Sequence, residues 1–260
     1  MVGSTDDTPG VHFFKQERQH LFEIQQEIAR KSRFVSILTE PSRELWLKEH
    51  GNKPEILLVP TGVDRKIPAP NENPFRCYPE KIAVYIGSLY LNSQRDTNLI
   101  WQRRLNTLGA LLKQRGIRLC LLSLGLFDKI DPDVVTCLGG VENDKVWDYH
   151  HFADVGLVLA QGAVQHNESS KIYYYLRAGV PVVSEDSVPN NYLIEQAQLG
   201  LISPYGNDEK VADLIQEATE RPWGRQRAIA YMIQNHSWDS RASIYHNLLV
   251  AGRSKEPMNG

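Results

Sequence analysis

With 260 residues, 42% of them apolar and 23% charged, the chain has the make-up of an ordinary globular protein, large enough for one domain and part of a second. A net charge of −2 excludes the basic surface that nucleic acid or an anionic membrane selects, and no apolar run approaches the ~20 residues of a membrane span. The opening MVGSTDDTPG lacks the basic-then-apolar order of a signal peptide, and three cysteines (Cys77, Cys120, Cys137) form an odd set without zinc spacing. A reducing cytoplasm is therefore the expected compartment, with Cys120 and Cys137 buried in apolar runs.

Residues 1–10 read as disordered. Helical spacing follows over 13–31, with Leu21, Ile24 and Ile28 on one stripe. Phe34 to Thr39 is a buried-strand candidate. Pro41 suits the first turn of a helix that runs to His50 and stops at Gly51, because its missing N–H would be unpaired there in any case. A strand begins at Glu55 and ends in the glycine turn PTGVD (Pro60 to Asp64). Residues 1–64 therefore form a partial N-terminal α/β segment. Residues 65–80 carry Pro68, Pro70, Pro74 and Pro79 and have the composition of a linker.

From 81 to 252 a regular alternation predicts a doubly wound parallel sheet with C-terminal helices. Strands are expected at 81–87, 118–125, 134–139, 155–160, 181–184 and 201–204. Helices are expected at 96–115, 141–152, 171–178, 191–198, 208–220, 223–235 and 238–251. Strands 134–139 and 118–125 should lie on one side of strand 81–87 and the rest on the other. The strand order then reverses between 81–87 and 155–160, and open sheets bind ligands at the carboxyl ends of the strands there. The polar loop Gln161 to Ser170, followed by KIYYYLRAG, sits at that point. His150 and His151 are read as surface residues, the Arg103–Arg104 pair as a solvated helix face and Trp238 as a core anchor. Tyr173, Tyr174 and Tyr175 span nearly one helical turn, so at least one should pack in the core.

Several segments carry a resemblance. PTGVD is similar to the P-N-G-V-D turn ahead of a donor domain, and VYIGSL (Val84 to Leu89) to the strand and glycine turn that open it. Leu138 to Ala160, Lys171 to Val183 (KIYYYLRAGVPVV) and His236 to Leu249 (HSWDSRASIYHNLL) follow in the same order. Together the chain resembles family 4 glycosyltransferases of the GT-B fold, mainly their C-terminal, donor-binding half. The resemblance implies a nucleotide-diphosphate sugar as co-substrate, hexosyl transfer with retention to an unknown acceptor, and no cofactor or metal. It also leaves room for an inactive nucleotide-sugar-binding partner, working with a separate N-terminal-domain subunit.

The donor-binding residues that the resemblance implies are Gly87, Ser88, Val141, Glu142, His166, Glu168, Ser169, Ser170, Lys171 and Tyr174. Ser169 and Ser170 should cap the helix and offer N–H groups to a phosphate, Lys171 should add charge, and Gly87 and Ser88 should allow a close backbone approach. Gly139 to Glu142 match the loop that cradles the nucleobase through the main chain. Two glutamates eight positions apart are usual in the family. Those positions fall on His166 and Tyr174, with Glu168 near the first. The family's arginine after the first donor strand is absent from Gly87-Ser88-Leu89, and Arg95, or Arg103 and Arg104, are candidates to replace it. No residue is assigned to catalysis. If a separate subunit completes the protein, residues 238–251 should present it with an apolar face.

Overall fold

The computed structural model describes residues 2–4, 15–87, 95–125 and 127–253. The chain divides into two compact units, residues 1–66 with 230–260, and residues 67–229. The stretch from 230 thus groups with the N-terminal residues, whereas the expected boundary carried the second domain on to 252.

In the first unit, β1 (Val2–Ser4), α1 (Lys15–Lys31), β2 (Phe34–Ile37), α2 (Glu40–His50) and β3 (Glu55–Leu58) build a parallel sheet in the order β1-β2-β3. β1 corrects the expectation of disorder at residues 2–4, and the rest of 1–10 lies outside the described residues. Val2, Gly3 and Ser4 pair with Phe34, Val35 and Ser36. β2 is buried along its whole length, so the N–H and C=O groups on both of its edges need partners. Residues 5–14 lie outside the described part. Thr39 caps α2 by accepting from the Ser42 N–H at 3.2 Å, Pro41 sits inside the first turn, and Gly51 ends the helix at φ 76°. Val35, Ile37 and Trp46 form the core, with Ile28, Ala29 and Ile56 against it.

The PTGVD turn explains why the C-terminal helices belong here. α8 (Arg225–His236) and α9 (Trp238–Arg253) meet at Ser237. The Val63 N–H donates to the His236 carbonyl at 2.8 Å, and the Trp238 N–H returns a bond to the Val63 carbonyl at 3.0 Å. Gly62 is needed, since a Cβ there would lie 2.7 Å from the Trp238 ring. Trp238 is a partial anchor, 49% exposed, and Leu249 and Val250 of α9 are also open to solvent.

The second unit holds β4 (Lys81–Ile86), α3 (Arg95–Gln114), β5 (Ile117–Leu122), β6 (Val135–Gly139), α4 (Val146–Phe152), β7 (Val155–Val158), α5 (Ser170–Ala178), β8 (Val182–Glu185), α6 (Tyr192–Ala197), β9 (Gly200–Ser203) and α7 (Asp208–Glu220). Six parallel strands run in the order β6-β5-β4-β7-β8-β9, the doubly wound sheet expected from the alternation. Alternate strand residues serve opposite faces. Ala83, Tyr85, Leu119, Leu121, Val155 and Leu157 meet Leu105, Leu108 and Leu112 of α3 and Val211 and Ile215 of α7. The helices α4, α5 and α6 pack on one another and belong to the other face. Asn207 caps α7, accepting from the Lys210 N–H at 3.0 Å.

Two readings change. The proline-rich stretch is fastened to α4 rather than being a free linker. Phe75 is buried and meets Tyr149 edge-on at 5.6 Å, the Asn71 N–H donates to Asp148 at 2.8 Å, and the His151 ring bonds the Pro68 carbonyl at 3.2 Å. Cys137 is exposed because β6 is an edge strand, while Cys120 on inner β5 is buried, with its thiol pushed up to about 12 by desolvation. Among the described residues no helix is long and apolar enough to cross a membrane.

Candidate functional site

The candidate site lies where β4 and β7 meet. Their ladder is short: Ala83 pairs with Val155 and Val84 with Gly156. From β4 the chain winds outward through β5, and from β7 through β8, so the carboxyl ends of β4 and β7 flank the switch point. Tyr175 of α5 takes the place of further ladder bonds. Its hydroxyl accepts from the Ile86 N–H and donates to the Val84 carbonyl, both at 3.0 Å. Gly156 makes room for the ring, since a Cβ there would lie 2.4 Å from it. Tyr173 and Tyr175 are both fully buried, and Tyr174 is the one left at the surface.

Lys171 enters the first turn of α5, where the positive end of the helix dipole disfavours a cation. No acidic residue occupies that turn, and among the described residues no carboxylate pairs with Lys171. Its side chain lies across Gly87. A Cβ at Gly87 would stand 2.5 Å from Cε and 2.9 Å from Nζ. The ammonium lies 5.0 Å from the centre of the Tyr85 ring. Gly87 therefore contributes space and a φ of +150°; its own N–H is already bonded to the Leu122 carbonyl at 3.0 Å. Ser88 lies outside the described residues.

At the start of α5 the expected capping by serine side chains does not occur. Asn190, buried in the loop after β8, clamps Ser169 instead. Its Oδ1 accepts from the Ser169 N–H at 2.8 Å and its Nδ2 donates to the Ser169 carbonyl at 2.9 Å. Ser169 is thus corrected from a phosphate donor to a fixed anchor. The N–H groups of Ser170 and Lys171 remain, because the first turn of a helix has no carbonyl four residues back within the helix. Glu168 accepts from the Tyr173 hydroxyl at 2.8 Å, and His166 is half-buried in the loop.

A buried charge network roots the same loop. Glu185, fully buried at the end of β8, takes two bonds from Arg104, at 2.6 and 2.9 Å, and one each from the N–H groups of Ala160, at 2.7 Å, and Gly206, at 2.6 Å. Arg104 also donates to Asp208 at 2.8 Å. Burial works against the Arg104 charge, but Glu185 and Asp208 more than restore it, so its pKa is raised. The reading of Arg103 and Arg104 as one solvated face holds for Arg103 alone. Sequence reasoning misses Asn190, and it offers Arg104 as a phosphate-binding candidate, whereas the Arg104 guanidinium is held by Glu185 and Asp208. The available signal was Glu185 itself, a charge closing the apolar run PVVS.

The nucleobase-loop candidates lie after β6. The expected helix from Val141 starts later, at Val146, because the Glu142 carbonyl closes a turn with the N–H groups of Lys145 and Val146. Val141 is half-buried in this segment, and the Glu142 carboxylate pairs with Lys145 at the surface. Beside it, Trp147 of α4 meets the Tyr174 ring edge-on at 5.9 Å.

Below them His150 is buried, against the surface reading, since α4 is only seven residues long and rests on α5. Its Nδ1 has no hydrogen-bond partner among the described residues, and desolvation, with some help from His151, lowers its pKa to about 3. The unfolded chain would take up this proton near pH 6.5, so stability is fully present above pH 6.5 and is lost as pH falls towards 3. His236, lowered to about 4 by burial and then by Arg241, acts in the same sense. His150 alone should cost about 2 kcal/mol between pH 6.5 and 5. Urea unfolding at the two pH values should show that His150→Phe flattens the slope by about this amount.

No family model and no curated protein matches the sequence. Solved structures do match. Sucrose-phosphate synthase from Thermosynechococcus elongatus superposes with a TM-score of 0.70 at 16% identity, over 96% of this chain and 68% of that one. HepE from Anabaena, in complex with UDP and glucose, gives 0.74 at 15% identity over 96% and 71%. TarM gives 0.68 at 16% identity, over 95% of this chain and 49% of that one, so the chain spans between about half and 71% of these three proteins. The parallel sheet flanked by helices is the fold of GT-B glycosyltransferases.

Proposed function

We propose that the unit of residues 67–229 holds the diphosphate of a nucleotide-diphosphate sugar at the first turn of α5, and that the chain serves transfer of the hexosyl group to an acceptor. The observation that carries this reading is the cation of Lys171, set over Gly87 at a helix N-terminus with no carboxylate partner among the described residues. That arrangement is unfavourable until an anion arrives. HepE, of the same fold, was solved with UDP and glucose, and the trehalose-phosphate synthase from Burkholderia vietnamiensis is described as UDP-forming. Five segments in family order, from PTGVD to HSWDSRASIYHNLL, support family 4 within that fold. In the transfer, an acceptor hydroxyl oxygen bonds to the sugar C1 as the bond between C1 and the diphosphate oxygen breaks, both electrons of the broken bond pass to the leaving diphosphate, and the acceptor's proton goes to that diphosphate. The N–H groups of Ser170 and Lys171 and the Lys171 ammonium face the charge that develops there. The proposal calls on no cofactor.

Calorimetric titration with UDP and GDP tests it. One of them should bind with a micromolar constant, and its sugar conjugate should slowly release the nucleotide. A folded sample that binds neither removes the reading.

A second reading, binding without transfer beside a separate N-terminal-domain subunit, is favoured by His166 and Tyr174 at the positions of the two family glutamates. Nucleotide binding with no release from any UDP- or GDP-sugar would select it.

A further inference from the structure

The peptide that joins Ser169 to Ser170 is held from three sides. Asn190, only 1% exposed, offers its amide to Ser169 as a second peptide would, the oxygen to the N–H and the nitrogen to the C=O. The Ser169 carbonyl also accepts from the Ile172 N–H at 3.2 Å, which turns it along α5. A trans peptide is planar, so the Ser170 N–H points opposite to that carbonyl, off the start of the helix. Asn190 and Ile172 together therefore fix the direction of the N–H of the first residue of α5, and Lys171 follows it in the same turn.

Asn190 is itself set on a fixed frame. The Glu185 carbonyl accepts from the Val188 N–H at 3.1 Å and from Asn191 Nδ2 at 2.5 Å, and the Leu193 N–H donates to the Asn190 carbonyl at 3.1 Å. Val188 and Asn191 are buried, and the Glu185 carboxylate is tied to Arg104. Hydrogen bonds thus run without a break from the end of β8 to Ser169. A backbone that must order when an anion arrives loses that ordering from the binding free energy, and one already ordered does not.

Resting on the donor-site reading, we propose that Asn190 is a positioning residue, which presets the N–H groups of Ser170 and Lys171 for the diphosphate through Ser169. Calorimetry with UDP or GDP, whichever binds the unaltered chain, tests this on variants whose folding is checked by urea unfolding. Asn190→Leu keeps the volume and loses both bonds. It should weaken binding about tenfold, as ordering one backbone residue on binding costs. Asn190→Asp supplies the rescue. Ionised, it sets a second acceptor against the Ser169 carbonyl; protonated, its O–H donates there and restores the pattern. Its affinity relative to the unaltered chain should rise at least about threefold from pH 7.5 to pH 5.5, to above that of Asn190→Leu. The ratio cancels the titration of the ligand and of His166, Glu168, Lys171, Glu185 and Asp186, the titratable side chains of the two segments that Asn190 joins. Repulsion of the diphosphate by the new carboxylate would give that rise too, but it would leave Asn190→Leu at full affinity. A folded Asn190→Leu that binds within about threefold of the unaltered chain overturns the proposal and leaves the donor site standing. So does an Asn190→Asp whose relative affinity is the same at both pH values, and this variant decides alone if Asn190→Leu does not fold. If neither nucleotide binds the unaltered chain, the donor-site reading falls first and the role of Asn190 with it.

Discussion

Arg104→Met should lower the unfolding free energy by about 3–5 kcal/mol, the usual consequence of removing one partner of a buried ion pair. The Arg104 side chain is only 15% exposed and Glu185 is fully buried, so water cannot replace the guanidinium. Glu185 would keep two N–H donors, from Ala160 and Gly206, but would lose both of its charged ones. Arg104→Lys should recover only part of the loss, because one ammonium cannot reach Asp208 and both Glu185 oxygens with the geometry of a planar fork. The double replacement Arg104→Met with Glu185→Leu removes the buried charge, yet it orphans the N–H groups of Ala160 and Gly206. It should therefore remain about 2 kcal/mol below the unaltered chain. Urea unfolding of the four proteins checks the series. A loss under 1 kcal/mol for Arg104→Met would show that the network tolerates an unpaired Glu185.

How much of this was legible in the sequence depended on periodicity and range. The order of the six strands was readable because each is a short apolar run, often closed by glycine, and because crossovers between parallel strands obey one hand. β1 was not, since Val2, Gly3 and Ser4 carry no pattern of their own and become a strand only by completing β2. Arg103 and Arg104 are adjacent and chemically identical. On a helix they point about 100° apart, so only one could face the sheet, and composition does not say which. The burial of His150 depends on α5 lying over a helix too short to show a stripe. The position of the ligand loop was legible from the switch point. Its fastening was not: Asn190 reaches Ser169 across 21 residues, and Ser187 reaches the Gly162 carbonyl across 25, at 2.8 Å. Tertiary hydrogen bonds of that range leave no local trace. The same limit applies to Gly87, where a close approach is expected for a ligand and where the Lys171 side chain also lies.

That contact makes the second large effect a paired one. Lys171→Ala should weaken UDP binding by about 30–100-fold, near 2–3 kcal/mol, as expected for a charged donor to phosphate at a partly desolvated helix terminus. The stability of the free protein should rise slightly or stay level, because the cation opposes the helix dipole when no anion is bound. A structural lysine would show the reverse, a loss of stability with affinity unchanged, and that result would take Lys171 out of the site. Gly87→Ala approaches the same contact from the other side. Its new Cβ would fall 2.5 Å from the Lys171 Cε, so the flexible side chain must leave its place, and the φ of +150° adds backbone strain. It should therefore lower affinity in the same direction as Lys171→Ala while also costing about 1–2 kcal/mol of stability. In the double variant the two affinity losses should not add, since once Lys171 is gone there is nothing left for the Gly87 methyl to displace. A double variant whose losses sum would mean that Gly87 meets the nucleotide directly, and the space it provides would then belong to the ligand rather than to the lysine.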